Sequence, residues 1–123
     1  TGIGEVLKAQ NPDILIWAVE PENAAILAGG TIGTHMQMGI GDGVIPKILN
    51  RNIYEDIYIV SDEEAIQTAK NLASMEGIMC GISSGTNVAA ALKMAEKLGE
   101  GKTVVTVLPD TAERYFSTPL FEG

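Results

Sequence analysis

Two short stretches carry the residue types that could do chemistry. The first is Gly81-Ile82-Ser83-Ser84-Gly85, set between an apolar run, Ile78-Met79-Cys80, and an alanine-rich helical pattern. A glycine-flanked hydroxyl pair at a helix start presents O–H groups and open backbone N–H groups to a polar or anionic ligand. In open α/β sheets ligands settle beyond the carboxyl ends of strands, and this stretch follows such an end. The same serines could equally cap the helix. As nucleophiles they are weak, because the spacing is not GxSxG and the single histidine, His35, leaves no second one to support a triad.

The second stretch is Gly39-Ile40-Gly41-Asp42-Gly43. It lacks the context of a dinucleotide fingerprint, since no strand precedes it and no third glycine falls at GxGxxG spacing before a helix. Glycines here let backbone approach a ligand or another element closely. Asp42 reads as a turn residue and His35 as a hydrogen-bonding loop residue. Cys80, at the end of an apolar run, reads as a small buried hydrophobe. Met36, Met38, Met75, Met79 and Met94 read as core filling. One cysteine permits no internal disulfide, and one histidine with one cysteine leaves no metal site.

Elements must bring these stretches together. Glu5 to Gln10 reads as the end of a helix stopped by Asn11-Pro12. Ile14 to Val19 is a continuous apolar run that suits a strand buried on both faces. Asn23 to Leu27 suits a short helical turn, and Thr31 to Gly43 a long loop. Loops of that length in a compact domain are functional or disordered, and Ile32, Met36, Met38 and Ile40 speak against disorder. Asp56 to Val60 is a second strand. Ser61-Asp62-Glu63-Glu64 is a capping box opening a helix that Gly77 ends. Residues 78–80 predict a third strand, Asn87 to Leu98 a further helix, and Thr103 to Leu108 a last strand. Strands alternating with helices imply an α/β fold: a mostly parallel sheet with helices on both faces.

The chain has 123 residues with 8 Lys+Arg against 16 Asp+Glu, a formal charge of −8. Phosphate backbones and anionic bilayers need clustered Lys and Arg, so nucleic acid and membrane surfaces are not expected partners. No apolar run approaches the ~20 residues that span a bilayer. No charged segment precedes an apolar stretch as in a secretory leader, so a cytoplasmic protein is expected. Aromatic residues are scarce, which leaves the core to aliphatic side chains. Thr1-Gly2-Ile3-Gly4 opens without Met and runs straight into an apolar pattern, as in a chain entered in mid-element.

Several segments together resemble one family. Glu76-Gly77-Ile78-Met79-Cys80-Gly81-Ile82-Ser83-Ser84-Gly85 resembles the EGxxxGISSG segment of cysteine synthases (O-acetylserine sulfhydrylases). Ala18-Val19-Glu20-Pro21, His35 with Gly39-Ile40-Gly41-Asp42-Gly43-Val44-Ile45-Pro46, and Leu108-Pro109-Asp110-Thr111-Ala112-Glu113-Arg114-Tyr115-Phe116-Ser117-Thr118 follow in the family's order. The resemblance implies a pyridoxal 5'-phosphate enzyme of the tryptophan-synthase-β-like fold (fold type II). Residues 1–123 would form the C-terminal (large) domain portion, with the N-terminal half absent. The implied activity is a transferase reaction of cysteine biosynthesis: O-acetyl-L-serine loses acetate and sulfide takes its place, giving L-cysteine. Cystathionine β-synthase and an O-phosphoserine-using relative are close alternatives, and a non-catalytic binding or regulatory module of the same fold is one of another class.

The resemblance also assigns residues. Ser83 would face the pyridine nitrogen, Pro109 and Asp110 would stand beside the ring, and Gly39, Ile40 and Gly41 would belong to the substrate-facing loop. None of Lys8, Lys47, Lys70, Lys93, Lys97 or Lys102 sits in a motif matching the family's Schiff-base lysine, so no catalytic residue is expected in this chain and by itself it should be inactive. Met36 and Met38 stand where the family often has polar residues. A homodimer, and a serine acetyltransferase inserting its C-terminal tail, are the implied partners.

Overall fold

The computed structural model describes residues 1–121. Helix α1 (Gly2–Gln10) leads into strand β1 (Trp17–Pro21), which pairs in parallel with β2 (Asp56–Val60) in the register Trp17↔Asp56 to Pro21↔Val60. A 3-10 turn, Glu22–Ala24, follows β1, helices α2 (Asp62–Glu76) and α3 (Ile82–Leu98) follow β2, and a second 3-10 turn, Ala112–Tyr115, lies near the end. The α/β class with a parallel pairing is as the sequence predicts. The four-stranded sheet is not: among the described residues the sheet has two strands.

The differences have local causes. Strand β1 starts three residues later than the apolar run because the Ile14 N–H turns back to the Asn11 carbonyl and the Ile16 N–H is taken by the Glu55 carboxylate at 2.6 Å. Residues 78–80 contribute only a bridge, antiparallel, between Cys80 and Thr111. Residues 103–108 form no ladder, and Val105 is 86% exposed. A β-branched run becomes a strand only when a neighbour takes its hydrogen bonds, and here Asn87 Nδ2 donates to the Val107 carbonyl at 2.8 Å instead.

Helix α2 has the predicted bounds. Ser61 Oγ accepts the Glu64 N–H at 3.1 Å, and Gly77 closes the helix in the left-handed region at φ 70°. The reciprocal half of the capping box is missing, since the Glu64 carboxylate turns to the Tyr58 hydroxyl at 3.5 Å. Helix α3 begins five residues before the predicted start at Asn87. Gly85 is a poor helix former on propensity alone. Packing overrides that cost: a Cβ there would run into the Ala65 carbonyl oxygen and lie 2.9 Å from the Ala69 nitrogen of α2.

The core is built from this close approach. Val60, Ala65, Ala69, Cys80, Ile82, Ala89, Ala112, Tyr115 and Leu120 are buried, with Val19, Tyr58, Ile66 and Leu72 packed around them. Cys80 is thus the small buried hydrophobe expected of it. The methionines are not core filling. Met36, Met38, Met75 and Met79 are all exposed, and α2 and α3 meet through small residues instead. At the sheet, Trp17 and Tyr58 stack at 5.9 Å and Lys97 stands 5.1 Å over the Trp17 ring.

Candidate active site

The first turn of α3 is held by the residues that follow the extended segment 103–108. The Gly81 N–H donates to the Asp110 carbonyl at 3.2 Å, and Ser84 Oγ lies 3.5 Å from the same oxygen. Asp110 Oδ2 accepts the Tyr115 hydroxyl at 2.5 Å. Its other oxygen, Oδ1, is buried with no partner among the described residues. That oxygen lies against Gly81, where a Cβ would collide with it and stand 2.5 Å from Tyr115 Cε2. Only glycine therefore fits at position 81.

Neither serine caps the helix. The N-cap is Gly81, which has no side chain to give, and Ser83 and Ser84 both lie inside the first turn. Ser84 is spent on the Asp110 carbonyl. Ser83 is 4% exposed and its hydroxyl makes no hydrogen bond to the described residues, while the buried side-chain oxygen left without a partner is Asp110 Oδ1. A hydroxyl free of protein partners at a helix start is open to a ligand from outside the described residues. The N–H groups of Ile82 and Ser83, with no partner inside the helix, add a partial positive charge at the same end.

Two neighbouring groups stay protonated. Burial, with the Asp110 carboxylate as hydrogen-bond acceptor and adjacent charge, pushes the Tyr115 hydroxyl up to about 12. Burial likewise pushes the Cys80 thiol up, against a smaller opposing effect of its hydrogen bond with Ser84. A thiol so held is neither a nucleophile nor a metal ligand at neutral pH.

The glycine loop is ordered by three anchors. Gly39, Gly41 and Gly43 adopt φ 89°, 69° and 75°, the left-handed region that L side chains avoid. Gly41 packs so closely that a Cβ would stand 2.8 Å from Pro21 Cγ and 2.9 Å from His35 Nε2. His35 is the hydrogen-bonding residue expected: Nδ1 accepts the Gln37 N–H at 3.2 Å, so Nε2 carries the proton it gives to the Gly41 carbonyl at 3.3 Å. Glu20, buried at the end of β1, accepts the N–H groups of Leu27 and Ala28 at 2.8 and 3.1 Å. Gln37, also buried, reaches Val60, Asp62 and Thr86. Sequence reasoning missed both Glu20 and Gln37. A buried polar residue flanked by apolar ones carries no periodic signal, and the partners lie up to 49 positions away.

The structure therefore ties Asp110 to Gly81 and Ser84, the neighbours of Ser83, and ties the segment leading into Gly39, Ile40 and Gly41 to the same helix through Gln37 and Thr86. Pro109 is exposed beside Asp110. Two cavities among the described residues lie elsewhere. One of about 330 Å³ sits between Ala69, Ala73, Met79, Cys80 and Leu120. The other, about 490 Å³, is a groove between α1, β1, α3 and residues 104–107. Both are lined mainly by apolar groups, and neither reaches Ser83 or the loop, so the unpaired hydroxyl is the better guide to the site.

The model of the family described as pyridoxal-phosphate dependent enzyme matches residues 1–110. The chain belongs to that family. Cysteine synthase of Staphylococcus aureus (strain N315) is 49% identical over 121 residues, covering 98% of this chain and 39% of that protein. O-ureido-L-serine synthase of Streptomyces lavendulae is 42% identical over 123 residues, covering all of this chain and 38% of its own length. The crystal structure of cysteine synthase from Entamoeba histolytica superposes with a TM-score of 0.95 at 42% identity, over 99% of this chain and 36% of that one. The chain thus spans less than half the length of the relatives it matches. The fold is that of these fold type II enzymes.

Pyridoxal phosphate fits the residues present. Its ring nitrogen needs one hydrogen-bonding group, and Ser83 offers a hydroxyl at the start of α3 without a competing protein partner. Among the described residues no helix is long and apolar enough to cross a membrane, and no group of three or more His, Cys, Asp or Glu could hold a metal ion.

Proposed function

We propose that the chain is part of an enzyme that replaces the acetoxy group of O-acetyl-L-serine with sulfide. The Cβ–O bond breaks, acetate leaves with its electron pair, and hydrosulfide supplies the pair that forms Cβ–S in L-cysteine. The supporting observation is the Ser83 hydroxyl, free of protein partners at the start of α3 while its neighbour Ser84 is engaged.

Bound pyridoxal phosphate would supply the electron sink for this chemistry. Ser83 would meet the ring nitrogen with a neutral hydroxyl. A hydroxyl orients that nitrogen without protonating it, as a carboxylate would, so the sink stays weak and loss of a β leaving group is favoured over deeper electron withdrawal. Asp110 and Pro109 would form the wall beside the ring, with Asp110 fixed by Tyr115. Gly39, Ile40 and Gly41 would face the substrate, their backbone free of side chains at two of three positions. The lysine that holds the cofactor would lie outside this chain; Lys8, Lys93 and Lys97 are engaged with Glu55, Glu96 and Asp56. A homodimer, a serine acetyltransferase tail as partner, and a cytoplasmic location belong to the same reading.

The test uses the full-length protein. It should carry a visible cofactor band that shifts on adding O-acetyl-L-serine, and should form cysteine on adding sulfide. A protein that binds no pyridoxal phosphate, or that prefers serine or O-phosphoserine as donor, overturns the reading. Ser83→Ala should keep the cofactor yet slow acetate release about tenfold, the worth of one hydrogen bond.

A further inference from the structure

One anchor of the glycine loop is a buried amide. Gln37 is fully buried, its Nε2 donating to the Val60 carbonyl at 2.9 Å and to Asp62 Oδ1 at 3.0 Å. Its Oε1 accepts from Thr86 Oγ1 at 2.8 Å. The partners settle which way the amide faces, because a carbonyl and a carboxylate can only accept. Thr86 has one proton and two acceptors in reach. The Gln37 contact is shorter than that to the Ile82 carbonyl at 3.2 Å, so the proton goes to Gln37. Asp62 holds the same segment twice, since its Oδ2 also accepts the Met36 N–H at 2.8 Å.

These partners sit at the end of β2, at the N-terminus of α2 and in the first turn of α3. One side chain thus joins three elements to a loop that has little stiffness of its own, given its three left-handed glycines. Such a loop, once released, would have to be ordered again on each binding event, and that conformational entropy weakens binding without altering the chemical step.

We propose that Gln37 is a positioning residue, fixing Gly39–Gly41 against the first turn of α3 and so setting substrate affinity without touching substrate. The inference rests on Gly39–Gly41 being the substrate-facing loop of the proposed reaction. The alignment of Gln37 with Thr86 gives it a second handle, since either side of that hydrogen bond can be removed.

The experiment uses full-length enzyme with bound pyridoxal phosphate. Gln37→Met keeps the volume and removes all three bonds. Thr86→Val removes only the hydroxyl, and Thr86→Ser restores it. Gln37→Met should raise amide hydrogen exchange across Gly39–Gly43 and raise KM for O-acetyl-L-serine, each about tenfold, with kcat within about twofold and the cofactor spectrum unchanged. Thr86→Val should move both in the same direction by about threefold and Thr86→Ser should stay near the parent, consistent with one neutral hydrogen bond. Unchanged loop exchange in Gln37→Met overturns the proposal. So does faster exchange with an unmoved KM, or Thr86→Ser behaving as Thr86→Val. If Gln37→Met fails to fold, the two Thr86 variants decide alone. A parent enzyme without cofactor or turnover refutes the proposed reaction instead, and loop exchange still judges the clamp separately.

Discussion

Replacing Tyr115 by Phe tests the arrangement around Asp110 through its pH dependence. The ring stays in the core, and only the hydroxyl that donates to Asp110 Oδ2 is lost. Because Oδ1 is already unpartnered, the carboxylate would keep no side-chain donor among the described residues. A hydrogen bond to a charged group contributes about 1.5–3 kcal/mol, so the variant should be less stable by about 2 kcal/mol at pH 8–9. The parent protein then loses this advantage in alkali. Its folded Tyr115 titrates at about 12, against about 10 for an unfolded tyrosine, so the protonated form is favoured by folding. The contribution is fully present below pH ~10 and is lost between pH ~10 and ~12, at about 1.4 kcal/mol per unit and at most about 2.7 kcal/mol in all. The variant has no such group, so the difference between the two should shrink above pH ~10 and cross zero near pH ~11.5. Urea denaturation of both proteins at half-unit steps from pH 8 to 12 measures it, and taking the difference cancels the other tyrosines and the lysines. A difference that stays flat from pH 9 to 12 would refute the Tyr115–Asp110 coupling.

Two further substitutions probe the elements that carry the site. Gly85→Ala should cost well over 2 kcal/mol, because the new methyl meets the α2 backbone at Ala65 and Ala69 and backbone cannot yield; a melting temperature within a degree of the parent would contradict the packing described. Ser61→Ala should cost about 1 kcal/mol through loss of the N-cap bond to the Glu64 N–H, readable as a shifted urea midpoint with unchanged slope.

What could be read from the sequence was what is written locally. Helix α2 announces both ends through Ser61 and Gly77, each acting within a few residues of itself, and β2 is bounded by the same cap. The start of α3 was misplaced because Gly85 and the paired serines look like a loop until α2 lies against them. Residues 103–108 have strand composition but lack a described neighbour to pair with, and pairing is a property of two segments. The Ser83–Ser84 pair and the glycine loop were found by residue type and spacing, and Asp110 by resemblance. Their physical connections were not, since Tyr115–Asp110, Gln37–Thr86 and Glu20 with Leu27 and Ala28 are side-chain contacts with no period.

Those connections explain why Ser83 stands apart. The first turn of α3 is fixed on three sides: Asp110 takes Gly81 and Ser84, Gln37 takes Thr86, and α2 closes on Gly85. Each of these contacts uses up a polar group or the space for a side chain. Ser83 is the one polar side chain of the turn that the described residues leave without a partner, although it is almost wholly buried. A hydroxyl left free of protein partners at a helix start is open to something bound, and the rigid surroundings would keep it aimed while the ligand comes and goes.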